Sequence, residues 1–289
     1  MRTVLGIDAA WTLTNPSGVA LVEETPVGWR LRAVESSYDG FHALAGGAPP
    51  DASRPTGSRP DAGRLLATCR NLTGRFPDLV AVDMPLSRLP IVGRRLCDRL
   101  VSSAWGARKC ATHSPSAVRP GRISDELRGE FEAAGYVLWT RESAAKAGPG
   151  LIEVYPHPAL VELTGAASRL PYKAGKTKGY WPDLDPRGRR ERLFAQWLAI
   201  VEALDAEIAG VQSAFPEIAE GASGFALKAH EDKLDAVVCA WVGARVLRGR
   251  ANAFGDADAA IWIPSPSTRS GASSRDARKR DFARQGKTG

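Results

Sequence analysis

The sequence predicts an α/β protein: a mixed sheet whose first three strands are antiparallel, flanked by helices. Three observations predict it. The first 35 residues hold three apolar or alternating runs parted by turn residues. Two later runs, opening at Leu79 and Leu151, are short, largely apolar and stopped by proline, as central strands buried on both faces are. Around them, apolar residues recur at helical spacing.

Taken in order, Met1–Ala9 reads as a strand with apolar residues around Gly6, and the loop Trp11–Pro16 leads to a second strand at Ser17–Glu23. Pro26-Val27-Gly28 makes a turn, and Trp29–Glu35 alternates as a third strand, so the three form an antiparallel meander. Residues 46–63 are crowded with Gly, Pro, Ser and Asp and read as a flexible insertion. Leu65, Leu66, Cys69 and Leu72 then mark a helix. Leu79–Asp83 is a strand ended by Met84-Pro85-Leu86, and helices follow at Arg94–Ala104 and Asp125–Ala134, the second with Ser124 as N-cap. Leu151–Tyr155 is a strand closed by a loop framed by Pro156 and Pro158. Arg187–Ile208 is the longest helical pattern, with Leu193, Trp197, Ile200, Val201 and Leu204 on one side. A helix over His230–Leu247 and a short strand at Ile261–Pro264 complete a single domain, residues 1–264.

Composition narrows the function classes. The 289 residues are 44% hydrophobic, enough for a sizeable core. No run of about 18 apolar residues exists, so no membrane span is expected. Met1–Leu5 enters a strand rather than a signal peptide, and the cytoplasm is the default compartment. Cys69, Cys97, Cys110 and Cys239 lack the spacing of a zinc site and read as buried, reduced thiols. Beyond Ile263 the chain carries seven bases against Asp276 and Asp281, so +5 of the +7 net charge belongs to the extension at 265–289. That Ser-, Gly- and Arg-rich segment reads as disordered, and it could add salt-sensitive attraction to nucleic acid.

The chemistry-bearing residues are acids at the ends of apolar runs. Asp8 and Asp83 each close a strand, Glu153 lies at the end of another, and Asp232 and Asp235 share a helix face three residues apart. Carboxylates there are costly to desolvate without a compensating cation, and oxygen ligands suit Mg²⁺ or Mn²⁺. Crevices of such sheets lie beyond the carboxyl ends of the strands, where Asp8 and Asp83 fall. Asp235, a turn into the helix, is the stronger ligand candidate; Asp232 could equally cap the helix dipole. His157 and His113 are solvated loop residues or proton shuttles. Lys173, Lys176 and Lys178 form a basic loop with Gly175 and Gly179, and with Arg95 they could hold phosphate. No phosphate-loop or dinucleotide fingerprint is present.

Gly6-Ile7-Asp8-Ala9, Val82-Asp83-Met84-Pro85-Leu86, Arg95-Leu96-Cys97-Asp98, Glu153-Val154-Tyr155-Pro156, the Lys173–Gly179 loop and Leu234–Ala240 together resemble the domain-of-unknown-function family 429, described as predicted nucleases of ribonuclease H-like fold. The resemblance spans roughly residues 1–264 and implies a mixed five-stranded sheet. It also implies a metal-dependent phosphodiester hydrolase, a nuclease acting on DNA or RNA. The metal-binding acids would be Asp8, Asp83 and Asp235, with Glu153 or Asp232 as the fourth, around two Mg²⁺ or Mn²⁺ ions. Two other readings compete: a non-catalytic nucleic-acid-binding scaffold of the same fold, and an actin-like phosphotransferase, which usually needs a second lobe.

Overall fold

The computed structural model describes residues 1–47, 54–143 and 148–266; the extension beyond Pro266 and residues 48–53 of the expected insertion lie outside the described residues. β1 (Thr3–Asp8), β2 (Gly18–Thr25) and β3 (Gly28–Glu35) form the antiparallel meander, Asp8 pairing with Gly18 and Thr25 with Gly28. Helices α1 (Tyr38–Ala45) and α2 (Ala62–Thr73) follow. The first was not expected: Ser37 caps it, accepting from the Gly40 amide at 3.0 Å.

β4 (Leu79–Val82) runs parallel to β1 and is buried throughout, as its unbroken apolar run requires. Next come α3 (Leu96–Trp105), α4 (Arg122–Ala133), β5 (Val137–Leu138) and β6 (Gly150–Val154). Ser124 is not the cap of α4; the helix starts at Arg122, and the buried Ser124 hydroxyl donates to the Pro85 carbonyl.

The segment after β6 is a helix rather than a Pro-framed loop. α5 (Pro156–Thr164) takes Pro156 at its first position, where a missing N–H costs nothing, and stops at Gly165, whose φ of 70° is left-handed. The expected basic loop is a 3₁₀ turn at Ala174–Lys176 leading into α6 (Thr177–Tyr180). α7 (Pro186–Asp205) ends before Ile208, which instead opens β7 (Ile208–Ala209) beside β3. After α8 (Val211–Ala214), α9 (Gly224–Leu247) begins six residues earlier than expected, capped by Ser223. A hairpin of β8 (Ala251–Gly255) and β9 (Ala260–Pro264) closes the chain.

The sheet has nine strands rather than five, in the order β7-β3-β2-β1-β4-β6-β9-β8, with β5 beside β6. Two layers of helix cover it. One core packs Val4, Ala81, Ile152 and Val154 against α5, α7 and α9; the other packs Leu5, Ile7, Val80, Val82 and Leu151 against α1, α2 and α4. α9 is apolar nearly all round from Leu234 to Ala244, as befits a helix buried in the middle of its layer.

Its placement depends on glycine. A Cβ at Gly6 of β1 would run into the backbone at Ala236 and Ala240, and one at Gly18 of β2 into the Asp232 carbonyl. Bare backbone at both positions lets α9 lie directly on the sheet, which brings the acidic part of the helix over the end of β1. No helix of the described residues is long and apolar enough to cross a membrane. All four cysteines are buried and free.

Candidate functional site

The parity of the strands decides which acids meet. Asp8 has the parity of Gly6, and Asp83 that of Ala81, so both carboxylates lie on the α9 face at the carboxyl ends of adjacent parallel strands. The strand ends are tied, the Asp83 amide donating to the Ile7 carbonyl at 2.9 Å. Glu153 pairs in register with Val82, and therefore has the parity of residues that face the other core.

Asp8, Asp83 and Asp232 border one cleft of about 620 Å³, with Trp11, His113, Arg119 and Lys228. An adjoining cleft of about 430 Å³ shares Trp11, Asp83, His113 and Lys228. Asp8 and Asp83 are partly buried, and neither carboxylate accepts a hydrogen bond among the described residues. Burial and the like charges of Asp235 and Asp232 hold the Asp8 carboxyl well above the usual range. Burial and Asp235 push Asp83 up to about 7, against the pull of Lys173. Asp232 is raised to about 6 by burial.

Asp235 is fully buried and already partnered: it accepts from the Tyr172 hydroxyl at 2.8 Å and from the Lys173 ammonium. Lys173 also lies 3.4 Å from Glu231. Burial disfavours the Lys173 ammonium, but Asp235, Tyr172 and Glu231 more than offset it and hold that group firmly charged. Glu231 anchors the basic segment by accepting from the Ala174 amide at 2.6 Å. Lys228 pairs with Asp232 and lies 3.2 Å from Glu231. Asp232 stands in the third turn of α9, so capping the helix dipole is not its role.

Two expectations are redirected. Glu153, expected among the metal-facing acids, is held by Arg95 through 2.6 and 2.7 Å bonds and by the Leu86 amide at 2.7 Å. Burial raises the Glu153 carboxyl while Arg95 opposes it; the short bidentate geometry is that of an ionised pair. Arg95 itself commits all five guanidinium donors to Glu153, Asp98 and the Leu86 carbonyl, leaving none for a phosphate. Within the basic segment, Lys173 and Lys176 line the 430 Å³ cleft; Lys178 is exposed and does not.

Sequence reasoning missed Lys228, Tyr172 and Arg169. Lys228 carried a signal, one helical turn before Asp232, that became visible only with the helix starting at Gly224. Tyr172 and Arg169 carried none, because both lie on a connection between elements, Tyr172 buried against Asp235 and Arg169 reaching the cleft.

Among the described residues no three Asp, Glu, His or Cys side chains are arranged as ligands of a common ion. The donor chemistry nonetheless suits a hard cation: Asp8 and Asp83 offer carboxylates without protein donors, and Asp232 Oδ2 is buried without a partner. All are oxygens, and they sit beside two further acids. No curated protein sequence matches the chain. Residues 6–260 match the family of proteins of unknown function DUF429, and with that match covering most of its length the chain belongs to this family.

Proposed function

We propose that this protein is a divalent-metal-dependent phosphodiester hydrolase, a nuclease acting on DNA or RNA. The observation that carries the reading is the pair Asp8 and Asp83, free of protein donors at the ends of adjacent parallel strands, with Asp232 and Asp235 delivered beside them by α9. Asp8, Asp83, Asp232 and Asp235 would hold Mg²⁺ or Mn²⁺, which when bound activates water and polarises a phosphoryl oxygen. The chain's own part is to fix the acids on rigid elements and to set ammonium groups beside them. Lys173 and Lys228 hold the α9 acids, and Lys176 faces the cleft where substrate phosphate would lie. The order β3-β2-β1-β4-β6, antiparallel then parallel, supports the finer reading of a ribonuclease H-like sheet.

The purified full chain, incubated with Mg²⁺ or Mn²⁺, should cut single- or double-stranded DNA or RNA, and Asp8→Asn should slow cutting by about 100-fold or more. Equal rates in wild type and variant would sink the reading. The ion pairs on Asp235 and Asp232 favour one alternative, a non-catalytic nucleic-acid-binding scaffold. Binding without turnover in either metal would support that alternative.

A further inference from the structure

The acids lining the 430 Å³ cleft are matched unequally against its bases. Asp98 and Glu153 pair with Arg95, and Glu231 with Lys173 and Lys228, while Asp83 at the edge toward the neighbouring cleft has no ion-pair partner among the described residues. Arg169 and Lys176 line the same cleft and pair with no carboxylate among the described residues. The Nε of Arg169 is buried without a partner. His157, only 6% exposed, lines the same wall, and its Nδ1 has no partner.

A helix terminus adds to the excess of donors. Tyr155 precedes α5 without a side-chain cap, and Pro156 and Pro158 carry no N–H. The first turn therefore presents one free backbone donor, the His157 amide, at the positive end of the helix dipole. Tyr155 and His157 both line the cleft, so this end of α5 faces it. Burial, with Lys173, Arg169 and Lys176 nearby, holds the His157 imidazole well toward its neutral form. A neutral ring can donate to an anion from one nitrogen.

We propose that Arg169, Lys176, His157 and the amino end of α5 form a subsite for a phosphoryl group, set beside the Asp8–Asp83 acids. The proposal rests on the nuclease reading and deepens it: the phosphate bound here is a second one on the substrate, next to the bond that is cut. The cleft is large enough for one phosphate with its sugar, its volume of about 430 Å³ falling at the lower end of the range for small-ligand sites. The group is either the terminal phosphate of a chain end or an internal phosphodiester.

The test is binding to the full chain in EDTA, where no turnover occurs. Inorganic phosphate should bind and raise the melting temperature. Arg169→Ala and Lys176→Ala should each weaken that binding about tenfold or more. Both should melt like wild type without phosphate, because neither side chain carries an ion pair among the described residues. Arg187→Ala, exposed on α7, should leave phosphate affinity unchanged. A short oligonucleotide with a 5′-phosphate should then be compared with its 5′-hydroxyl twin. About tenfold tighter binding of the phosphorylated strand, lost in Arg169→Ala, assigns the subsite to a chain end. Equal binding of the twins, each weakened by Arg169→Ala, assigns it to an internal phosphate. Phosphate affinity untouched by Arg169→Ala and Lys176→Ala overturns the proposal. Phosphate binding lost in these variants, in a protein that cuts nothing with Mg²⁺ or Mn²⁺, defeats the nuclease reading and leaves the subsite standing.

Discussion

Asp8 and Asp83 end two neighbouring strands, and Glu153 ends the next strand along, yet the fold treats them in opposite ways. On the α9 face, Asp8 and Asp83 open to clefts, accept no hydrogen bond among the described residues, and have their proton affinity raised by burial and by Asp235. One strand over, Glu153 is 4% exposed, and Arg95 and the Leu86 amide saturate it. A carboxylate with its charge fully matched has a structural role; one left partly unmatched beside other acids is available to a cation. The difference arises from one residue of register, since β6 pairs with β4 so that Glu153 sits opposite Val82 rather than Asp83.

The largest test of this contrast is Arg95→Ala. Removing the guanidinium leaves Glu153 and Asp98 buried and uncompensated, so denaturant unfolding should show a loss of about 3–5 kcal/mol. A loss under about 1 kcal/mol would mean that Glu153 is not the structural member of the comparison. Arg95→Lys should recover only part of the loss, because an ammonium cannot reproduce the two-pronged contacts.

Next in size is Gly6→Ala. The added methyl meets α9 backbone, which cannot rotate away, so stability should fall by about 1–3 kcal/mol. Cutting activity should fall with it, because α9 carries Asp232 and Asp235 over Asp8. Wild-type stability in this variant would show that α9 can shift from the sheet without cost.

The smallest effect is a pH dependence. The Asp83 carboxyl is raised in the folded state to about 7 from an ordinary 3.8, so it favours folding in its protonated form. That contribution is complete below about pH 4 and is lost as pH rises through about 7. Asp83 opens partly to solvent, so between pH 5 and 8 wild type should lose on the order of 1 kcal/mol more than Asp83→Asn. Parallel pH profiles for the two would show that Asp83 is not under strain.

Much of the fold was legible locally. The meander, β4, β6 and the body of α9 followed from apolar runs and their stops, and Asp8 and Asp83 stood out as acids at the ends of such runs. α5 was misread because proline marks the start of a helix as readily as the end of a strand. Arg95 reads locally as one more base that could hold phosphate, because its partner Glu153 lies far along the chain. Arg169 and Tyr172 had no local pattern at all, and only the packing of their segment against the cleft gives them a role.

Local pattern alone specified the central strands, the body of the long helices and the acids at their ends. Hydrophobic period, caps and prolines act over a few residues and leave their mark in a short window. Only the tertiary structure decided which face each acid occupies, which cation matches it and which bases stay unmatched. Those outcomes depend on the register between β4 and β6 and on α9 seating against Gly6 and Gly18. They are set by contacts between residues distant in the chain, where a shift of one position exchanges the two faces of a sheet.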